Sequence, residues 1–459
     1  MNTVHRRSFR VRGCPLRGRS TSSPPARANA VPWPLALAGA LAVARAAVLV
    51  LRPRDGLIEP DPVDVGAYFE PDDIARARRY GRPQLALHAA AGALQAGLLA
   101  AIAVRAGRPP RAVARGAEEA EAVGQGYVRA QPGASESGRA LARAAASGAG
   151  LTLAVGLVPL PLRVVARRRA RAAGLLTQSW GGWCRDLLKA GALGVVLNAG
   201  AAAVAVGFMR RFPRGWWLPA AGVAVAGTGT LTFLAPVVLD PLFNRFVPLP
   251  AGAIRDDVLE LAARAGVSIG EVYEVDASRR TTAANAYVTG FGASKRVVLF
   301  DTLLSEFTRE ETRLVVAHEL AHVRHRDVAR GLAHLALSAP AGMYAVAQLT
   351  RRLDRGHEQR ASGATLPALA LALGIVSAAV GSLASGLSRA VERRADAFSL
   401  ALADAPEPFI SFEQRIVSQN LADPDPPRWL VGLMGTHPST VERIGIARAY
   451  ARGVRPTKG

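Results

Sequence analysis

Cysteine, histidine and aromatic residues are scarce in this chain of 459 residues. Its 2 cysteines, Cys14 and Cys184, lie far apart and outside any CxxC pattern. We therefore expect neither a structural disulfide nor a cysteine metal site. Aromatic residues make up only 6% although half of the residues are hydrophobic. The apolar content is largely Ala, Leu, Val and Gly, which is typical of helices that pack closely in lipid.

Acidic residues are also few, with 35 Asp and Glu against 57 Lys and Arg and a formal net charge of +22. Such an excess could indicate nucleic-acid binding. The arginines, however, cluster at the ends of apolar segments, as at 167–169, 210–211 and 351–352. This distribution fits lipid headgroups better. We predict a lipid bilayer as a partner and no nucleic acid.

Seven apolar segments are each long enough to cross a bilayer, which takes about 20 residues. They lie near 32–51, 84–104, 146–166, 187–209, 216–239, 330–349 and 364–387. The sixth contains His334 and Pro340, and a buried soluble helix is an alternative for it. The pattern predicts a mainly α, multi-pass protein of the cell membrane with about seven transmembrane helices. Basic residues flank both ends of the segments and favour neither orientation.

These segments divide the chain into five parts. Residues 1–30 hold 7 arginines and no acidic residue. This composition predicts a disordered basic tail. The stretch lacks a signal-peptide cleavage pattern, and the alternative is that the start codon is misplaced and the stretch is not translated. A region of five spans covers 31–240, with a long extramembrane connection at 106–145. The rest is a first non-spanning block, a two-span region and a second non-spanning block: 241–329, 330–390 and 391–459.

A helix is predicted from Thr308 onward. Thr308 and Glu311 have the spacing of a capping box, and neither Gly nor Pro follows before Gly331. Within this helix, residues 318–322 read His-Glu-Leu-Ala-His, an H-E-x-x-H motif. With 8 histidines in the whole chain, this pairing is seldom expected by chance.

The spacing of the motif suits a metal ion. On a helix, residues four apart share a face, so His318 and His322 can reach one Zn²⁺. Glu319 between them is placed to act on a metal-bound water. The sequence therefore predicts one catalytic Zn²⁺ per chain.

A third protein ligand is expected from a later helix. The metzincin pattern is excluded, because its positions hold His325 and Val328. Glu392 would complete a two-His, one-Glu site with an open fourth position, and Asp396, four residues on, would hydrogen-bond a ligand imidazole. The alternative is a solvated helix whose carboxylates pair with its own arginines, Arg389, Arg393 and Arg394.

Three short strands are predicted before the motif. Glu271–Asp276 and Lys295–Phe300 alternate or run apolar, and Asn285–Gly290 has the pattern of an edge strand. An edge strand beside a zinc helix offers unpaired N–H and C=O groups to an extended peptide.

With these motifs in place, the chain resembles the M48 zinc metallopeptidases, and within them the Ste24 branch of type I CAAX prenyl proteases. The motif likeness extends from about 235 to 450, and the seven-span plan extends it to nearly the whole chain. The N-terminal third is similar in hydropathy alone. Besides the zinc motif, the likeness is carried by Pro241–Phe246, Ser278–Thr281, Asn285–Gly290, Lys295–Leu304, His437-Pro438 and Glu442–Ile444.

The resemblance implies roles for further residues. The two non-spanning blocks would form the peptidase domain, and the spans would enclose a chamber. His437 or Arg443 would stabilise the oxyanion, and Asp396 would orient the site. A strand would bind the substrate through Asn285, Ala286 and Tyr287.

Three functions follow as hypotheses. The first is a Ste24-like zinc endopeptidase, a gluzincin-type enzyme that cleaves peptides or membrane proteins. The second is an HtpX-like quality-control protease, against which the seven spans argue. The third is a non-catalytic scaffold or transporter, against which the presence of Glu319 argues. The Ala- and Arg-rich composition suggests a high-GC bacterium, where CAAX prenylation is not expected, so the substrate stays open.

Overall fold

The computed structural model describes residues 31–106, 134–290, 295–354 and 362–457. The predicted tail at 1–30 and most of the connection at 106–145 lie outside the described residues. The first part of the described structure is helical and consists of α1 (Trp33–Leu51), α2 (Pro71–Ala106), α3 (Ala134–Leu157), α4 (Leu160–Ala172), α5 (Trp180–Arg211) and α6 (Trp217–Val238). The end of the predicted extramembrane connection, 134–145, lies within the helix α3.

A small sheet and short helices follow the first helices. These elements are α7 (Asp240–Phe243), β1 (Phe246–Pro248), α8 (Ala253–Arg264), β2 (Glu271–Val275), β3 (Ala286–Thr289), β4 (Arg296–Phe300), α9 (Asp301–Glu306) and α10 (Arg309–Arg324). The remaining helices are α11 (Asp327–Leu353), α12 (Leu366–Ala403), α13 (Pro406–Asn420), α14 (Arg428–Met434) and α15 (Thr440–Ala451).

Six helices among the described residues are long and apolar enough to cross a membrane, namely α1, α2, α3, α5, α6 and α12. The third predicted segment, 146–166, is split between α3 and α4. Pro159 and Pro161 stand at this break, because proline cannot continue a helix without losing a backbone hydrogen bond. The apolar stretches of α2 and α6 are only 6% buried, so most of their surface is left for lipid.

The sixth predicted segment lies in α11, which is less apolar than the six spans. His334, Ser338 and Gln348 of this helix are buried. Its C-terminal half packs in one cluster with Trp216 of the α5–α6 connection and Leu366 at the start of α12. The C-terminal half of α11 is therefore enclosed by the other helices, whereas Val328 and Leu337 nearer its start are exposed.

Most of the described elements outside the bundle lie at one of its ends. The segment between α1 and α2 contacts the C-terminal helices, since the Asp61 N–H donates to the Gly445 carbonyl. The segment between α4 and α5 forms a bridge at Leu176 with Thr281. The connections that leave α6 and α12 enter the same region. One end of the bundle thus holds the sheet and the helix with the H-E-x-x-H motif.

The sheet has the strand order β1-β2-β4-β3. β2 and β4 are parallel, and both outer pairs are antiparallel. The strands predicted at 271–276 and 295–300 are thus present, and β3 is an edge strand among the described residues. One face of the sheet packs against α10 in a core that includes Val297, Leu299, Val316 and Leu320.

Candidate metal centre

The helix α10 is held in place by its cap and by its apolar face. The Thr308 side chain accepts a hydrogen bond from the Glu311 N–H at 3.2 Å, and Glu311 Oε2 accepts one from the Thr308 N–H at 2.8 Å. This is the predicted capping box. Ala317 and Leu320 are fully buried on the opposite side from the solvent. Both features fix the direction in which the motif side chains point.

Donor atoms of three side chains converge at the motif. His318 Nε2 lies 3.3 Å from His322 Nε2 and 3.1 Å from Glu392 Oε2. His322 Nε2 lies 3.7 Å from Glu392 Oε1. Zinc bonds of about 2.0–2.1 Å in a tetrahedral site place neighbouring ligand atoms about 3.3 Å apart. The chemistry and the spacing of these donors therefore fit one zinc ion.

His318 is supported by a buried chain of charges. Its Nδ1 lies 3.0 Å from Asp396 Oδ1. Asp396 accepts hydrogen bonds from Arg443 Nε at 3.0 Å and Nη2 at 2.7 Å. Arg443 Nη1 makes an ion pair with Glu413 Oε1 at 2.5 Å. Asp396 is fully buried and Glu413 is 1% exposed, so the pairs compensate charges that water cannot reach.

Burial and pairing shift the acid–base properties of this chain. Burial raises the pKa of Glu413 to about 7, although Arg443 acts in the opposite direction. Burial alone would lower the pKa of Arg443, but Asp396 and Glu413 outweigh it and raise that pKa. Burial also disfavours a charged His318, yet its hydrogen bonds to Asp396 and Glu392 raise its pKa to about 10. A metal ion at this position would displace that proton.

His322 is supported by a second chain, which starts at Asp327. His322 Nδ1 lies 3.1 Å from Asp327 Oδ2. Asp327 Oδ1 accepts a hydrogen bond from Arg394 at 2.5 Å and another from Arg330. Arg326, with φ 56°, breaks the helix between α10 and α11 and lets Asp327 turn back under the imidazole. The sequence contains no Gly or Pro at this break, so sequence reasoning missed it and Asp327 with it.

Glu319 faces a cavity of about 170 Å³ beside the ligand atoms. Asn285, His318, His437 and Arg443 also line this cavity. Burial raises the pKa of Glu319 above its usual range. A carboxylate with a raised pKa close to three ligand atoms is suited to accept and return a proton.

His437 and Arg443, the two alternatives for the oxyanion donor, have different surroundings. His437 Nδ1 lies 2.9 Å from Glu392 Oε2, and its side chain is 63% exposed. Three nitrogens of Arg443 are engaged by Asp396 and Glu413. The ring of His437 is therefore the more accessible of the two groups.

The predicted substrate strand lies at the sheet edge, with its side chains on two faces. The Phe300 N–H donates to the Asn285 carbonyl, which opposes it in the register. Because such pairs alternate in an antiparallel ladder, the N–H of Val288 points away from β4. The N–H of Ala286 also points outward, and Asn285 Oδ1 accepts a hydrogen bond from it at 2.9 Å.

Of the three predicted substrate residues, Asn285 lines the cavity and Ala286 is buried against α10. The Tyr287 side chain packs on the opposite face of the sheet with Tyr273. Its hydroxyl lies 3.5 Å from Asp240, and burial raises its pKa to about 12. The side chain of Tyr287 therefore does not line the cavity.

Comparison with known proteins gives two family matches that together span residues 60–451. The family described as "Peptidase family M48" matches residues 248–451. The family described as "CAAX prenyl protease N-terminal, five membrane helices" matches residues 60–245. The second match favours the Ste24-like hypothesis over the HtpX-like one, because it covers the helices that precede the metal site.

Individual relatives agree with these matches. The chain is 34% identical over 300 residues to the uncharacterized metalloprotease YhfN of Bacillus subtilis, which covers 64% of this chain and 70% of that protein. It is 32% identical over 142 residues to CAAX prenyl protease 1 of Saccharomyces cerevisiae, or 30% of this chain and 31% of that protein. The crystal structure of S. mikatae Ste24p superposes with a TM-score of 0.68 at 19% identity, covering 91% of this chain and 99% of that one.

Proposed function

The chain belongs to peptidase family M48, and on this basis we propose that its H-E-x-x-H site is a zinc centre that hydrolyses peptide bonds at the membrane. It is a Ste24-like, multi-pass membrane metalloprotease. We propose the cell membrane as its location and membrane-associated peptides or proteins as its substrates. The observation that carries the zinc assignment is the convergence of His318 Nε2, His322 Nε2 and the Glu392 carboxylate, with the two nitrogens 3.3 Å apart and each within 3.7 Å of a Glu392 oxygen.

Each side chain around these donor atoms has a part in the proposed reaction. When bound, zinc would polarise the scissile carbonyl and lower the pKa of a water molecule. Glu319 accepts a proton from the attacking water and returns it to the leaving amine. His437 donates a hydrogen bond to the oxyanion that develops on the carbonyl. Asp396 contacts the His318 ring directly and holds it in place, and Arg443 in turn holds Asp396.

The first test separates zinc binding from chemistry. Purified protein should contain one Zn²⁺ per chain, and His322→Ala or Glu392→Ala should lose it, because catalytic zinc needs three protein ligands. Glu319→Gln should keep zinc and lose peptidase activity by about 100-fold or more. The control is Glu310→Gln, an exposed glutamate on the same helix. Parental cleavage by Glu319→Gln, or a full equivalent of zinc in Glu392→Ala, would contradict the assignment.

We further propose that the substrate peptide adds as a strand along β3. The outward N–H of Val288 would donate to the peptide backbone, with the scissile bond beside Asn285 in the cavity. Val288→Pro removes this donor and should lower kcat/KM by up to about tenfold, with zinc content unchanged.

Val288→Ala is the matched control for the edge strand, because it shortens the same side chain but keeps the N–H. It should lower kcat/KM less than Val288→Pro. Equal kcat/KM values for Val288→Pro and Val288→Ala would show that the peptide docks elsewhere.

A further inference from the structure

A groove of about 750 Å³ lies at the start of α2, away from the metal centre. Three arginines line it: Arg78, Arg79 and Arg82. Its other walls are apolar and include Phe69, Ile74 and Pro83. The groove therefore combines positive charge with an apolar surface, as ligand-binding sites commonly do.

The charges in the groove are only partly compensated. Arg78 makes an ion pair with Asp423 at 2.9 Å. Arg79 and Arg82 are exposed, and no carboxylate among the described residues forms an ion pair with either. Two neighbouring guanidinium groups without an anion repel each other, so this arrangement favours the binding of one.

Further arginines approach from α4. Arg169 donates a hydrogen bond to the Arg79 carbonyl at 3.3 Å. Arg168 and Arg171 are exposed on the same helix, which contains no acidic residue. The groove is thus the centre of a basic patch that two helices build together.

The patch is at the expected level of the membrane surface. The apolar stretch of α2 begins at Leu85, one turn after Arg82, and exposed leucines such as Leu94 follow it. On the other side, Phe69 and Ile74 pack with Leu314 of α10. The groove therefore lies between the lipid-facing part of α2 and the peptidase elements.

We propose that this groove binds the headgroup of an anionic phospholipid. The phosphate would bind between Arg79 and Arg82, and the glycerol and first acyl carbons would contact Ile74 and Pro83. Charge complementarity and the position at the start of a span support a lipid, because arginines near the surface attract anionic headgroups. This proposal does not depend on the peptidase activity.

The test measures lipid binding to delipidated protein in detergent by native mass spectrometry. The ligands are phosphatidylglycerol, phosphatidylcholine and inorganic phosphate. The parent should retain phosphatidylglycerol in preference to phosphatidylcholine. The double variant Arg79→Gln, Arg82→Gln should bind phosphatidylglycerol about tenfold or more weakly, because each surface arginine contributes about 1 kcal/mol. Both side chains are exposed, so the melting temperature in phosphatidylcholine should stay near that of the parent.

The matched control is Arg255→Gln, Arg448→Gln, which removes the same charge from α8 and α15, outside the spanning helices. It should bind phosphatidylglycerol as the parent does. Equal binding of the two lipids, or an equal loss in the control, would overturn the proposal. Full displacement of phosphatidylglycerol by an equal concentration of inorganic phosphate would also overturn it, because it would indicate a site for a soluble anion.

Discussion

The two imidazoles proposed as zinc ligands are supported by chains of charged side chains that differ in composition. His318 is held by Asp396 and Arg443, with Glu413 behind, so two carboxylates share one guanidinium. His322 is held by Asp327, which two guanidiniums share. The first chain is rich in carboxylate and the second is rich in arginine.

The chains also differ in the elements they join. The His318 chain links α10 to the C-terminal part of the spanning helix α12 and to α13 and α15. The His322 chain runs to the first residue of α11, the helix that passes through the membrane bundle. Both chains thus contain a residue of α12, Asp396 in one and Arg394 in the other, but only the His322 chain reaches α11. The proposed metal centre lies where the peptidase elements meet the bundle.

The largest effect is expected from Asp396→Asn. Asp396 is fully buried, so its charge acts on His318 through a low dielectric. We expect zinc affinity to fall toward 100-fold, at the upper end of the range for partners of metal-binding histidines. Competition with a chromophoric chelator measures it. If the affinity stayed at the parental value, Asp396 would have no part in holding the ligand.

Local patterns in the sequence predicted which side chains come together at the proposed metal site. H-E-x-x-H, the capping box and the four-residue spacing of Glu392 and Asp396 all lie within single helices, where 3.6 residues per turn fix the faces. The alternative of a solvated helix is wrong for Glu392 and Asp396, since both are buried. Arg393 does pair on the surface, with Glu442 instead of its own helix.

The rest depends on contacts between distant elements. Glu413 has no sequence spacing that points to His318, because it acts through Arg443 from another helix. Asp327 depends on the left-handed conformation of Arg326, which a non-glycine residue adopts only when the surrounding fold stabilises it. The end of α3 at Leu157 was not predicted for a different reason, because the apolar run in the sequence continues past Pro159.

Asp327→Asn should reduce zinc affinity by about tenfold, less than Asp396→Asn. The His322 side chain is 22% exposed, against 13% for His318, so water can replace part of the lost support. The same chelator competition compares the two variants directly. A larger loss of zinc affinity in Asp327→Asn than in Asp396→Asn would show that the His322 chain is the more important of the two.

The smallest effect is expected from Glu413→Gln, and it should depend on pH. The pKa of Glu413 is raised from 4.5 to about 7 in the folded protein by burial. Between these values the folded state binds more protons than the unfolded state, so the group makes the protein less stable as pH rises through this interval. Gln carries no charge at any pH and should not contribute this loss.

In zinc-free protein, the melting temperature of Glu413→Gln relative to the parent should therefore increase between about pH 5 and pH 7 and level off above it. Glu407→Gln serves as the control, because Glu407 is an exposed glutamate on the same helix and should show no such trend. A difference between Glu413→Gln and the parent that stayed constant with pH would mean that Glu413 is ionised throughout this interval. Both chains would then keep the same charges throughout this interval. The difference in zinc affinity between the Asp396 and Asp327 variants would then be explained by the exposure of the imidazoles alone.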